Sequence, residues 1–136
     1  MKIAFATQDL VSVDAHFGSA KHIRIYEMDQ DGAFLLETHT FDGNLQEDGN
    51  EDKLAPKLAS ISECAILYVA AIGGSAASRV IAQAIHPIRV TESEPIDGLL
   101  DSLQALLRGT PPPWLRKALG KGKERILDFE EEEVAA

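Results

Sequence analysis

The stretch VDAHFGSA, Val13 to Ala20, sets a histidine, an aromatic residue and a glycine side by side among small residues. An imidazole in such a loop is either a turn residue with its ring nitrogens satisfied, or a ligand held where the chain bends around something. A second stretch, AAIGGSAASR, puts Gly73 and Gly74 between an apolar run and Ser75, which reads as the cap of a helix. Backbone N–H groups at that junction can approach a ligand closely, and the helix dipole favours a negative one. Close packing of strand on helix explains the same glycines with no ligand at all. The loop lacks a Gly-Lys-Ser/Thr ending and a GxGxxG spacing, so neither nucleotide fingerprint is present. Arg79, one turn into the helix, either adds charge at the same mouth or is solvated.

The remaining reactive groups are few. Cys64 is the single cysteine, which excludes an intramolecular disulfide and the four-thiolate cage of a structural zinc or ferredoxin-type site. At the mouth of an apolar strand it is either a small buried hydrophobe or one thiolate ligand. His22 and His39 fall on strands as exposed or hydrogen-bonded side chains, and His86, before Pro87, suits a strand entry. Asp9 and Asp14 read as turn formers. The strands IAFAT and AILYVAAI contain no carboxylate, so two-metal phosphodiester chemistry finds no ligand set there. Phe17 either anchors its loop in the core or shields a bound group, and Gly18 lets the backbone turn or approach that group.

These groups must be positioned by the elements around them. Ile3 to Thr7 reads as a buried strand, His22 to Met28 as a strand with two different faces, and Asp31-Gly32 as a hairpin turn into Ala33 to Phe41. After the acidic segment FDGNLQEDGNED, Asn50 or Asp52 can cap a helix through Ile61, with Pro56 near its first turn. Ala65 to Ile72 is eight apolar residues, the pattern of a central strand covered on both faces. A helix from Ser75 to about Ile85 presents Ala76, Ala77, Val80, Ile81 and Ala84 on one face. His86 to Val90 is a further strand. Pro95 opens a helix whose Ile96, Leu99, Leu100, Leu103, Leu106 and Leu107 keep a 3.6-residue period until Arg108-Gly109.

A meander followed by strand-helix crossovers predicts an α/β fold, a ribonuclease H-like mixed five-stranded sheet with helices packed on its faces. Residues 1–109 form that domain, and 110–136 carry a Pro-rich linker, a short amphipathic helix around Trp114, Leu115 and Leu119, and an acidic tail. In this topology the first strand and AILYVAAI are parallel neighbours, so VDAHFGSA and IGGSAAS converge beyond their carboxyl ends, where open α/β sheets commonly bind ligands.

Composition narrows the functions further. The chain has 136 residues, 45% hydrophobic and 26% charged, enough for one core, and a formal charge of -9 that opposes a nucleic-acid backbone. No run reaches the roughly 20 apolar residues of a membrane span, and MKIAFAT lacks the pattern of a signal peptide. A cytoplasmic protein with no nucleic-acid or membrane partner is expected.

MKIAFATQD, VDAHFGSAKHIRIYEM, CAILYVAAIGG, HPIRV and GTPPPWLRKAL together resemble the NifX-type branch of the dinitrogenase iron-molybdenum cofactor biosynthesis (NifX/NafY) family, over about residues 1–120. The resemblance implies a non-catalytic role, in which the chain binds the iron-molybdenum cofactor or its iron-sulfur precursor cluster as cargo and transfers it during nitrogenase assembly. It implies partners such as the NifEN scaffold, NifB and apo-dinitrogenase, and a monomer or weak dimer. The histidine of the HFG motif, here His16, becomes a candidate iron ligand, and Cys64 a weaker one. Around them the cofactor-binding set is Phe17, Gly18, Ser19, Gly73, Gly74, Ser75 and Arg79. A carrier needs few protein ligands because the cluster already supplies sulfide to its own irons; imidazole suits iron, and sulfides accept backbone hydrogen bonds. The competing expectation is an interaction or regulatory module that holds no cluster and works through PPPWLRKAL and the acidic tail. A small-anion binder using IGGSAAS is a third.

Overall fold

A computed structural model describes residues 1–41 and 54–121. The chain builds β1 (Lys2–Thr7), β2 (Ser12–Val13), a single 3-10 turn (Phe17–Ser19), β3 (His22–Met28), β4 (Ala33–Thr40), α1 (Ala55–Ser60), β5 (Ile66–Val69), α2 (Gly74–Ala82), β6 (His86–Arg89), β7 (Glu94–Pro95) and α3 (Ile96–Arg108). Five strands make one mixed sheet in the order β4-β3-β1-β5-β6. The meander β1-β3-β4 is antiparallel, and β5 and β6 are added parallel to β1. The parallel neighbours β1 and β5 pair from Ile3 with Ile66 to Phe5 with Tyr68, so their carboxyl ends open on the same edge.

Alternation along the strands divides the core in two. On one face Ala4, Ala6, Ile23, Ile25, Leu67 and Val69 pack with Leu58, Ile61, Ala76 and Val80 of the α1 and α2 side. On the other, Ile3, Phe5, Met28, Ile66 and Tyr68 pack with Ile96, Leu100 and Leu103 of α3. The Phe5 ring stacks on Tyr68 at 5.2 Å and meets Tyr26 edge-on at 5.5 Å, both favoured aromatic geometries.

Several local expectations are corrected. Helix α2 begins at Gly74 with Gly73 as its cap, so Ser75 lies inside the first turn, and no side chain caps the helix. It ends at Ala82 and not at Ile85, because Ala84 takes a left-handed φ of 61° and turns the chain toward β6. Ala76 and Val80 are its buried residues, while Ile81 is exposed. Strand β5 is shorter than its apolar run, for a reason that belongs to the site below. Helix α1 has no side-chain cap, and the cap candidates Asn50 and Asp52 lie outside the described residues. Pro95 caps α3 from the residue before it and pairs with Ser12 in the two-residue sheet β2-β7, too short to leave a periodic signal.

The core runs past Gly109. Residues 113–121 are helical and bury Leu115 and Ala118 in the α3 side of the core. The Trp114 ring stacks on His86 with centroids 4.6 Å apart and planes 13° apart. Lys121 Nζ donates to the carbonyls of Ser62, Cys64 and Gln83 at 3.1, 2.6 and 2.9 Å, clasping the segment to two loops. Residues 122–136 lie outside the described residues. Among those described, no helix is long and apolar enough to cross a membrane. Leu115 is fully buried, so Leu115→Ala is expected to cost about 2–5 kcal/mol in denaturant unfolding. Leu106→Ala, on an exposed position, should cost less than about 1 kcal/mol. Equal, small losses would mean that the segment is not part of the core.

Candidate functional site

Where β1 ends, the chain turns sharply. Asp9 Oδ1 accepts from the N–H groups of Val11 and Ser12, both at 2.8 Å, and from the Thr7 hydroxyl at 3.2 Å; Thr7 Oγ1 accepts from Leu10 N–H at 3.0 Å. These bonds to the ionised carboxylate hold Asp9 below the ordinary carboxylate pKa. Asp14 accepts from Gln8 N–H at 2.7 Å. Both aspartates are turn formers, as their loop position predicts.

The turn carries Ala15–Phe17 back into the sheet position that β1 has left. Ala70 N–H donates to the Ala15 carbonyl and Phe17 N–H to the Ala71 carbonyl, each at 2.9 Å, with His16 bridged parallel to Ala71. This exchange of neighbour explains why β5 stops at Val69: its last apolar residues pair with the histidine loop instead of β1. The convergence of VDAHFGSA with IGG, expected from topology alone, is thus made by direct hydrogen bonds.

His16, Phe17, Gly18 and Ser19 line one side of a cleft of about 530 Å³, and Ala71, Ile72 and Gly73 line the other. That volume is in the range of small-ligand sites. The His16 side chain is exposed, whereas Phe17 is fully buried in the α2 side of the core and anchors the loop. Gln8 braces the far end, donating to the Ser19 carbonyl at 3.1 Å and accepting from Lys21 N–H at 2.9 Å.

Gly74 and Ser75 follow directly as the exposed first residues of α2. The first N–H groups of a helix have no partner within it, and with no side chain capping α2 they remain available just past Gly73, the last residue that lines the cleft. The glycines serve neither sharp turns nor close packing. No glycine among the described residues has a positive φ, and a Cβ built on Gly18, Gly73 or Gly74 meets nothing within 4 Å. Their effect is to leave backbone uncovered at the cleft.

One residue that braces the histidine loop is not among the candidates read from the sequence. Lys57 of α1 is buried, and its Nζ donates to the carbonyls of Phe17 and Gly18 at 3.2 and 2.8 Å, with the Phe41 ring centroid 5.4 Å away. Desolvation lowers its pKa. The signal was present: Lys57 shares the helical face of Leu54 and Ile61, where a lysine has no reason to be unless something polar awaits it.

Four candidates do not line the cleft: Gly74 and Ser75, which follow directly on its last lining residue Gly73, and Arg79 and Cys64, which lie farther off. Arg79 is half-buried in the second turn of α2 and does not line it. Cys64 stands before β5 and His16 beside its far end, so the length of the strand separates them. The thiol is 1% exposed, and burial pushes its pKa up to about 12. A larger cleft of about 640 Å³, lined by Ile81, Ile85, His86, Pro87, Trp114 and Lys117 among others, lies between α2, β6 and the 113–121 segment. Among the described residues no three His, Cys, Asp or Glu side chains gather as a metal site.

The Cys64 placement carries a pH prediction. A thiol with a folded pKa above its ordinary 9.0 stays protonated in the fold while the unfolded chain ionises, so stability falls as pH rises from 9.0 toward 12. Cys64→Ala should flatten that fall in unfolding measurements, and the native thiol should resist alkylation at pH 8 until the chain is denatured. Rapid native labelling would contradict the burial.

The comparisons with known proteins agree with this architecture. The family model described as "Dinitrogenase iron-molybdenum cofactor" matches residues 1–106. Protein NifX of Herbaspirillum seropedicae is 61% identical over 132 residues, 97% of this chain and 90% of that one. The FeMo cofactor biosynthesis protein NifB of Bradyrhizobium diazoefficiens is 29% identical over 126 residues, covering 82% of this chain and 25% of that longer one. The crystal structure of PH0822 superposes with a TM-score of 0.59 at 16% identity, over 77% of this chain and 89% of that one, a likeness of fold alone. The chain belongs to the dinitrogenase iron-molybdenum cofactor family, and its role lies in the biosynthesis of that cofactor.

Proposed function

We propose that the chain binds the iron-molybdenum cofactor, or its iron-sulfur precursor, as cargo in the cleft between the His16 loop and α2, and passes it between assembly proteins. The observation that supports this reading is the exposed His16, on a loop held by backbone hydrogen bonds, sharing a cleft with Gly73, from which the uncapped α2 starts. Imidazole is a suitable iron ligand, and the N–H groups of Gly74 and Ser75 are donors for bridging sulfides of an anionic cluster. A single exchangeable side-chain ligand favours release, whereas several thiolates would retain the cargo. Lys57 is a positioning residue: it fixes the carbonyls of Phe17 and Gly18 and so orients the histidine loop from behind.

The same proposal covers the finer assignments. The chain transfers its cargo without catalysis, in the cytoplasm. Its partners are the proteins that make and receive the cargo, with the NifEN scaffold and NifB as donors and apo-dinitrogenase as a recipient; the stretch of NifB similar to this chain supports a shared cargo. The ribonuclease H-like label rests on the order β4-β3-β1-β5-β6, antiparallel in its first three strands and parallel in its last.

Anaerobic titration with isolated cluster tests the reading. The wild type should bind, and His16→Ala should lose about tenfold or more in affinity, roughly 1.4 kcal/mol. Lys57→Met should fold and bind several-fold more weakly, because two loop carbonyls lose their donor. Equal binding by His16→Ala would refute the ligand assignment, and no binding by the wild type would refute the carrier reading.

A further inference from the structure

Strand β4 forms one edge of the five-stranded sheet, and no described residue pairs with its outer side. It is eight residues long and leaves Phe34, Leu35 and Leu36 59%, 42% and 40% exposed. Natural edge strands are usually guarded by charge, proline or brevity. The half that reads AFLL has none of these.

The direction of each backbone group on β4 follows from its register. Phe41 N–H donates to the Lys21 carbonyl at 2.8 Å, so Phe41 faces β3, and by alternation so do His39 and Glu37. At the other end Asp29 N–H donates to the Gly32 carbonyl at 2.9 Å, so Gly32 and Phe34 face β3. Ala33, Leu35, Thr38 and Thr40 therefore aim their N–H and C=O groups outward. The change of phase between the two halves is a bulge, where the register shifts between Ile25 and Tyr26 and β4 carries an extra residue.

These outward positions are symmetric about the midpoint between Leu36 and Glu37. An unbulged eight-residue strand could pair with its own copy only after sliding by one residue, because in full end-to-end overlap its outward groups would meet inward ones. The bulge removes that mismatch. A second β4 running antiparallel places Ala33 opposite Thr40 and Leu35 opposite Thr38, free donors facing free acceptors, with Phe34 beside the His39 of the other copy on one face. We infer that β4 is the interface of a homodimer in which two copies of this chain join edge to edge into one continuous sheet. A partner strand without a bulge at the same place could not follow this edge past Leu36. One strand edge buries less than the roughly 1,200 Å² of a stable interface. Each chain also carries a net charge of -9, so the association is weak, strengthened by salt and dependent on concentration.

Sedimentation of the full chain over a concentration series at moderate salt tests this. The average mass should rise from 14.8 kDa toward twice that value. Thr38→Pro removes one outward donor and no bond to β3, and should remain monomeric where the wild type is largely dimeric. A wild type that stays monomeric throughout, or a variant that associates equally well, overturns the proposal. Register is tested separately by oxidising Leu35→Cys and Thr38→Cys chains together. Facing residues in such a pair lie about 5.5 Å apart at Cα, within disulfide reach, and the buried Cys64 does not compete. The mixture should yield several-fold more linked dimer than either chain alone, and equal yields would refute the pairing.

Discussion

Two backbone hydrogen bonds, from Ala70 N–H to the Ala15 carbonyl and from Phe17 N–H to the Ala71 carbonyl, hold the histidine loop where β1 leaves the sheet. A central parallel strand whose neighbour ends early would leave these N–H and C=O groups unpaired near the core, at a cost of about 1–3 kcal/mol each. The loop supplies the missing neighbour, and the geometry of the cleft follows. Phe17 turns into the core, His16 turns out, and the end of β5 leads through Ile72 and Gly73 into the uncapped start of α2. The residues that look like chemistry are placed by the same pairing that completes the sheet.

The surroundings of the loop are spent on fixing it. Asp9, Thr7 and Gln8 use their side chains on backbone groups of the turn, and Lys57 gives up hydration to hold two carbonyls from beneath. Charge buried in that way is tolerated only with good partners. The consequence is a rigid frame around one exposed imidazole and a short run of bare backbone. Cys64, at the opposite end of β5, is shut in the core with Lys121 closing over its carbonyl. The fold thus separates His16 from Cys64, the two candidate ligands that the sequence offered together.

Much of this was legible in the sequence because it depends on patterns of several residues. The apolar runs of β1 and β5, the hairpin at Asp31-Gly32 and the 3.6-residue period of α3 gave the strand order and the meeting of the two loops. The rest depends on single contacts. Ser75 has the chemistry of a cap, yet Gly73 takes the position because the chain enters the helix earlier. The glycines suggested tight turns or packing, but their backbone angles and open surroundings show neither need. The 110–136 segment reads as separate from the domain because it opens with three prolines, although Leu115 shares the core of α3. Lys57 shows the limit most clearly: its position on an apolar face signals a buried partner, but only the fold reveals that the partner is the backbone of the histidine loop.

The central claim is that cargo sits between the His16 imidazole and the first amides of α2. Pulsed electron paramagnetic resonance of cluster-loaded protein, in a paramagnetic oxidation state and with nitrogen-15 placed first in histidine and then in glycine, tests it most directly. The account predicts hyperfine coupling to one histidine nitrogen, lost in His16→Ala, and a weaker coupling to glycine amide nitrogen. Coupling that persists in His16→Ala, or a loaded cluster that couples to no protein nitrogen, would contradict it.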